Sequence, residues 1–117
     1  MAAEGIVRQV VAGVSDLDAA VTRFRDGLGF EEVFVDPDGW AVLTGGHVEI
    51  ALAAGEQRQG AGPVTLTYKT PDLTAARDHL AAHGFTPEGE VQEGGHELRA
   101  TVRDADGNVV IAYTPTG

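Results

Sequence analysis

The stretch that decides the fold is QVVAGVSDLDAAVTRF, residues 9–24. Apolar residues dominate 7–14 as they would in a strand, and Ser15-Asp16 then offers side-chain oxygens that can cap a helix. Leu17, Ala20, Val21, Phe24 and Leu28 follow at spacings of three and four, one apolar helical face, and Gly29 ends the helix. Phe30, Val33 and Val35 resume extended chain. DPDG at 36–39 has turn composition, and WAVLTGGHVEIALA at 40–53 supplies two short strands separated by Gly45-Gly46. The order is β-α-β-β-β.

The pattern then returns. In VTLTYKTPDLTAARDHLAAHGF, 64–85, Asp72-Leu73 stands 56 residues after Asp16-Leu17, whereas Gly84-Phe85 stands 55 after Gly29-Phe30, so the second helix is shorter by one residue. Strands are expected around 86–92, 96–103 and 108–114, with DADG at 104–107 as the hairpin turn between the last two. AAGEQRQGAGP, 53–63, has no apolar period and reads as a hinge or crossing between the halves. Half a chain with four strands and one helix cannot bury its sheet alone. The expectation is therefore one domain, 1–117, built of repeats 5–53 and 63–115. Its class is α+β: two βαβββ repeats forming a curved mixed-sheet cup with the helices on the outer face.

Strand alternation divides the candidates by face. Val10, Ala12 and Val14 fall under the first helix, with Gln9, Val11 and Gly13 opposite. Leu66 and Tyr68 fall under the second, with Thr65, Thr67 and Lys69 opposite. Val48, Ile50 and Leu52 likewise oppose His47, Glu49 and Ala51. The polar set thus lies away from the helices.

Composition narrows the chemistry. The 117 residues contain no cysteine, which removes disulfides, thiolate nucleophiles and cysteine-built metal sites. Eighteen acidic against eight basic residues give a formal charge of -10, which disfavours nucleic acid and anionic membrane surfaces. No run is long and apolar enough to span a bilayer, and MAAEGIVRQ lacks the features of a secretory leader, so the cytoplasm is the expected location. His79 and His83 belong to the second helix and its end, where a helix terminus suffices to explain an imidazole. His47 and His96 fall on strands. Asp104 and Asp106 belong to a hairpin turn. Trp40, the only tryptophan, opens a strand and with Phe34 and Tyr113 can stack a planar ligand. Phe24, Phe30 and Phe85 occupy packing positions.

QVVAGVSDLDAAVTRFRDGLGF (9–30) and TVRDADGNVVIAYTP (101–115), together with the repeat, resemble the glyoxalase, bleomycin-resistance and extradiol dioxygenase superfamily, the vicinal oxygen chelate fold. The resemblance covers nearly the whole chain and implies the fold rather than a reaction, because isomerases, epimerases, thiol transferases, oxygenases and drug binders share the scaffold. Its metal enzymes take a His or Gln seven residues before the capping Asp, an acid, Gln or His in the last strand of the first half, a His in the first strand of the second, and a Glu near the end. Gln9 and Glu49 match the first two positions. Thr65 and Ile111 occupy the others, and isoleucine has no donor atom.

The departure points to a metal-free small-molecule-binding protein of the bleomycin-resistance type, sequestering a bulky aromatic or cationic antibiotic. Non-catalytic binding is favoured over catalysis, with no cofactor, no metal and no catalytic residue. The ligand-contacting set is Gln9, Val11, Phe34, Trp40, His47, Glu49, Thr65, Thr67, Ile111 and Tyr113, in a homodimer. The alternatives are a metal-dependent glyoxalase-like lyase, isomerase or dioxygenase, for which His47, His96 or Glu97 would have to turn inward, and a structural or protein-interaction domain without a small ligand.

Overall fold

The structure, a computed structural model, describes residues 4–116. Strand β1 is Val10–Gly13, and helix α1, Leu17–Thr22, continues into a π-helical turn at Arg23–Gly27. Strands β2 (Glu31–Asp36), β3 (Trp40–Gly45) and β4 (Val48–Ala53) complete the first half. A 3-10 turn at Gly55–Arg58 leads to β5 (Thr65–Lys69), α2 (Leu73–Ala82), β6 (Thr86–Glu93), β7 (Glu97–Arg103) and β8 (Val109–Pro115). Hydrogen bonding sorts the strands into two four-stranded sheets, β1-β4-β3-β2 and β5-β8-β7-β6. In each the first strand runs parallel to the last and the other pairs are antiparallel. The repeat read from the sequence is therefore present in three dimensions.

Both helices start at an aspartate. Asp16 accepts from the Ala19 N–H at 3.1 Å and Asp72 from the Ala75 N–H at 3.0 Å, each satisfying a donor that the first helical turn leaves open. The single residue by which the first helix exceeds the second is absorbed at Arg23–Gly27. A π-helical turn encloses one residue more than an α turn, so Gly29-Phe30 can leave its helix much as Gly84-Phe85 does.

The core lies under the helices and takes residues from both halves. Ala12, Val14, Leu43, Ile50 and Leu52 from the first sheet join Val21 and Phe24 of the first helix, and Leu80, Phe85, Val102 and Val110 from the second half complete the same cluster. Phe24 is fully buried between Phe30 and Phe85, with ring centroids 6.0 Å and 6.4 Å away. Val10 departs from the expected pattern. It is 48% exposed, because α1 begins only at Leu17 and does not extend over the start of β1.

A buried ion cluster joins the halves as well. Arg23 Nη2 donates to Asp106 Oδ2 at 3.1 Å, and Arg23 Nε stands 3.0 Å from Asp104 Oδ2 in an ion pair bent away from ideal hydrogen-bond geometry. Asp104 is held by the Asn108 N–H and side-chain amide, at 2.8 and 3.0 Å, while Asp106 Oδ1 accepts from Ser15 Oγ at 2.7 Å. The turn that reads as a plain hairpin is thus a clamp between the second sheet and the first helix.

Replacing Arg23 by alanine leaves the fully enclosed Asp104 side chain without its counter-charge, a loss of about 3–5 kcal/mol. Urea denaturation should show that loss for Arg23→Ala, while Arg25→Ala, which removes only the solvent-exposed pairs with Asp26 and Glu32, should leave the midpoint nearly unchanged.

Candidate functional site

The sheet faces turned away from the helices carry most of the singled-out residues. On the first sheet, strand register sets Val11, Ala51, Val42 and Phe34 in one row across the four strands, and Gly13, Ala53, Trp40 and Asp36 in the next. Gln9 and Glu49 continue the same face toward the start of β1. Gln9 Nε2 donates to Glu49 Oε1 at 2.7 Å, and the guanidinium of Arg8 approaches the same oxygen to 4.0 Å.

A strap of linker crosses this face. The chain after β4 makes its 3-10 turn, passes through Gln59 in the left-handed region (φ 45°) and Gly60 (φ 81°), and borders an open cavity of about 330 Å³ between Gln57, Arg58, Gln59, Gly60 and Ala61 on one side and Val11 and Trp40 on the other. Gly13 makes the crossing possible. Its N–H donates to the Gly62 carbonyl at 2.9 Å, and a Cβ there would overlap the Ala61 carbonyl oxygen and come within 2.5 Å of Arg58 Nε. Gly39, at φ 127°, gives the neighbouring turn a similar approach: its carbonyl accepts from the Ala54 N–H at 2.8 Å, and a Cβ would meet the Ala54 oxygen at 2.5 Å.

The second sheet bears a separate depression of about 280 Å³, lined by Thr67, Glu97, Arg99, Ile111 and Tyr113. Register puts Lys69, Tyr113, Arg99 and Gln92 in one row and Thr67, Ile111, Thr101 and Glu88 in the next. Arg99 pairs with Glu97 at 3.0 Å and Arg103 with Glu88. The hydrogen bond and charge of Glu88 together raise the affinity of the Arg103 guanidinium for its proton. The formal charge of -10 does not describe these faces, which hold Arg58, Lys69, Arg99 and Arg103, half of the eight basic residues.

The expected residues divide accordingly. Val11 and Trp40 meet under the strap, Thr67, Ile111 and Tyr113 share the depression on the second sheet, and Gln9 and Glu49 bond to each other. Three lie apart from both cavities. Phe34 is 56% exposed on the edge strand β2 and does not reach Trp40, one register row away. His47 sits exposed in the turn before β4 rather than on a strand, and Thr65 is exposed at the start of β5. His96 likewise falls in a bend, since β7 begins only at Glu97. His79 bonds the Asp26 carbonyl at 2.8 Å and packs against the His83 ring, 4.4 Å away between centroids and tilted by 46°. Sequence reasoning passed over Gln57, Arg58, Gln59 and Arg99. The alternation Glu97, Arg99, Thr101, Arg103 against Leu98, Ala100, Val102 carried a signal for Arg99, but nothing periodic marked the strap.

These residues do not suit a resident metal. Gln9 and Glu49 satisfy each other, Ile111 offers no donor, and among the described residues no three His, Cys, Asp or Glu side chains converge on a point where an ion could sit.

Residues 6–111 match the model of the Glyoxalase/Bleomycin resistance protein/Dioxygenase superfamily. The chain belongs to that superfamily. Within it, an uncharacterised protein of Mycolicibacterium smegmatis is 35% identical over 109 residues, 93% of each chain. A glyoxalase-related enzyme from Fulvimarina pelagi superposes with a TM-score of 0.79 at 20% identity, over 96% of this chain and 92% of that one. The fosfomycin resistance protein FosX of Listeria monocytogenes superposes with a TM-score of 0.74 at 12% identity, over 96% of this chain and 94% of that one. At such identities the superfamily's shared scaffold is what these two structures have in common with this chain.

Gly13→Ala should push the strap off β1 and open the wall beside Trp40. The expected readout is a red-shifted Trp40 emission with far-UV circular dichroism retained; an unshifted spectrum would mean that the strap does not shield the indole.

Proposed function

We propose that this superfamily member is a metal-free small-molecule-binding protein that sequesters its ligand without transforming it, in the manner suggested by the bleomycin-resistance branch of the family. The observation that carries this reading is the 2.7 Å bond between Gln9 and Glu49. The two side chains best matched to the family's ligand positions are spent on one another, and Thr65 and Ile111 replace the remaining two. Binding itself is supported by two open depressions beside aromatic residues, about 330 Å³ at Trp40 and about 280 Å³ at Tyr113, the first within the range of small-molecule sites.

The reading includes a cytoplasmic homodimer in which 1–117 works as a single unit. Support for self-association is the apolar surface of the first half. Ile6 is 80% exposed and Val7 94%, and Val33, Phe34 and Val48 lie open on or beside the edge strands of its sheet. Ile6 and Val7 lead into one edge strand and Val33 and Phe34 lie on the opposite one, so a second copy docked at either edge would bury part of this apolar surface.

A test that separates binding from catalysis is to incubate the purified protein with planar aromatic antibiotics, record the thermal shift, and recover the compound for mass analysis. The expected outcome is a raised midpoint with the compound returned at unchanged mass and in stoichiometric amount. Consumption of the compound over many turnovers would overturn the proposal.

A further inference from the structure

Arg58 is the distinctive group of the strap. Most of the chain's basic residues have an acidic partner: Arg8 with Glu49, Arg23 with Asp104 and Asp106, Arg25 with Asp26 and Glu32, Arg99 with Glu97, and Arg103 with Glu88. Among the described residues Arg58 makes no such pair. Its guanidinium donates through Nε to the Ala61 carbonyl, at 3.2 Å, a bond that folds the strap and fixes the side chain while leaving the two terminal nitrogens uncommitted. The group is only partly exposed and lines the same cavity as the indole of Trp40. Arg77, also half-buried and bonded only to a backbone carbonyl, and Lys69 make no such pair either, but neither lines the cavity, so Arg58 is the cation placed beside Trp40. Guanidinium forks recognise carboxylate, sulfonate and phosphate oxygens in pairs.

The surroundings define the rest of the ligand. Val11 and Trp40 give an apolar and an aromatic surface, and Gln57 and Gln59 can donate or accept at the rim. Gln59 holds the left-handed conformation without being glycine, at a cost of roughly 1 kcal/mol, so the strap's path is imposed by the contacts around it. A volume of about 330 Å³ accommodates one or two fused rings with a short substituent.

We propose that the cavity between Trp40 and the 57–61 strap is a site for a planar aromatic anion, with the ring system against Trp40 and Val11 and its oxyanion on the terminal nitrogens of Arg58. This rests on the small-molecule-binding reading and fixes the ligand's charge, replacing the cationic compound that the overall composition favours. The strap thereby becomes the specificity element of the first half, and Gly13 is small because the strap must reach down to β1 at that point.

The experiment is calorimetric titration with three matched probes: naphthalene-2-carboxylate, its uncharged amide, and the cationic 2-naphthylmethylammonium, each followed in parallel by Trp40 emission. The expected order is carboxylate at least tenfold tighter than amide, with the ammonium weakest. Arg58→Gln should abolish the carboxylate's advantage over the amide with the far-UV circular dichroism retained, and Lys69→Gln on the other sheet should change nothing. Equal or tighter binding of the ammonium, or a carboxylate preference that survives Arg58→Gln, would overturn the anion assignment while leaving small-molecule binding standing. Failure of all three probes to bind at millimolar concentration would overturn the assignment of this cavity, whereas the binding reading itself is decided by the antibiotic recovery assay.

Discussion

The arrangement of this chain depends on the guanidinium of Arg23 and the two aspartates it holds. Two sheets of identical strand order could face each other in many ways, and apolar contact alone, being non-directional, would not choose among them. The ion cluster is directional. Asp104 is fixed by Asn108 within its own turn and Asp106 by Ser15 across the molecule, so Arg23 can satisfy both only when the first helix and the β7–β8 turn stand in one relative position. Phe24, one residue on, then packs against Phe30 of its own half and Phe85 of the other. Polar bonds fix the register of the halves, and the shared core stabilises it.

The repeat is not exact, and its departures carry the individuality of the molecule. Arg23 and His79 are equivalent in the two helices, 56 residues apart, yet only the arginine reaches a carboxylate turn; the imidazole bonds the Asp26 carbonyl instead. The pattern Asp-x-Asp-Gly also occurs in both halves but in different hairpins, β2–β3 and β7–β8, on either side of the α1 N-terminus. In each the first aspartate accepts from the N–H two residues on, Asp36 from Asp38 at 2.9 Å and Asp104 from Asp106 at 3.0 Å. One turn then becomes the clamp, whereas the other delivers Trp40 to the strap.

Much of this was readable in the residues because it rests on local rules. Aspartate caps, three-and-four spacing, glycine stops and two-residue alternation give the elements, and the offset between the halves gives the repeat. The offset even signalled the irregularity at Arg23–Gly27, although a missing residue does not by itself say whether a helix is shorter or wound differently. What was not legible depended on long-range approach. The Arg23 cluster joins residues more than eighty positions apart, Val10 is exposed only because of where α1 happens to begin, and the strap's course over β1 follows from the absence of a side chain at Gly13. Gln9 and Glu49 were correctly suspected of sharing a face, but their direct bond is a matter of tenths of an ångström that no pattern encodes.

That bond is also where the account is most exposed to contradiction, because Gln9 and Glu49 stand at the positions matched to the ligands of the superfamily's metal enzymes. Native mass spectrometry of the protein, supplied in turn with Ni²⁺, Zn²⁺, Mn²⁺ and Fe²⁺ and then freed of weakly held ions, addresses it directly. A dimer carrying no stoichiometric metal is the predicted result. One tightly held ion per subunit would show that Gln9 and Glu49 part to receive it, and would contradict the metal-free reading.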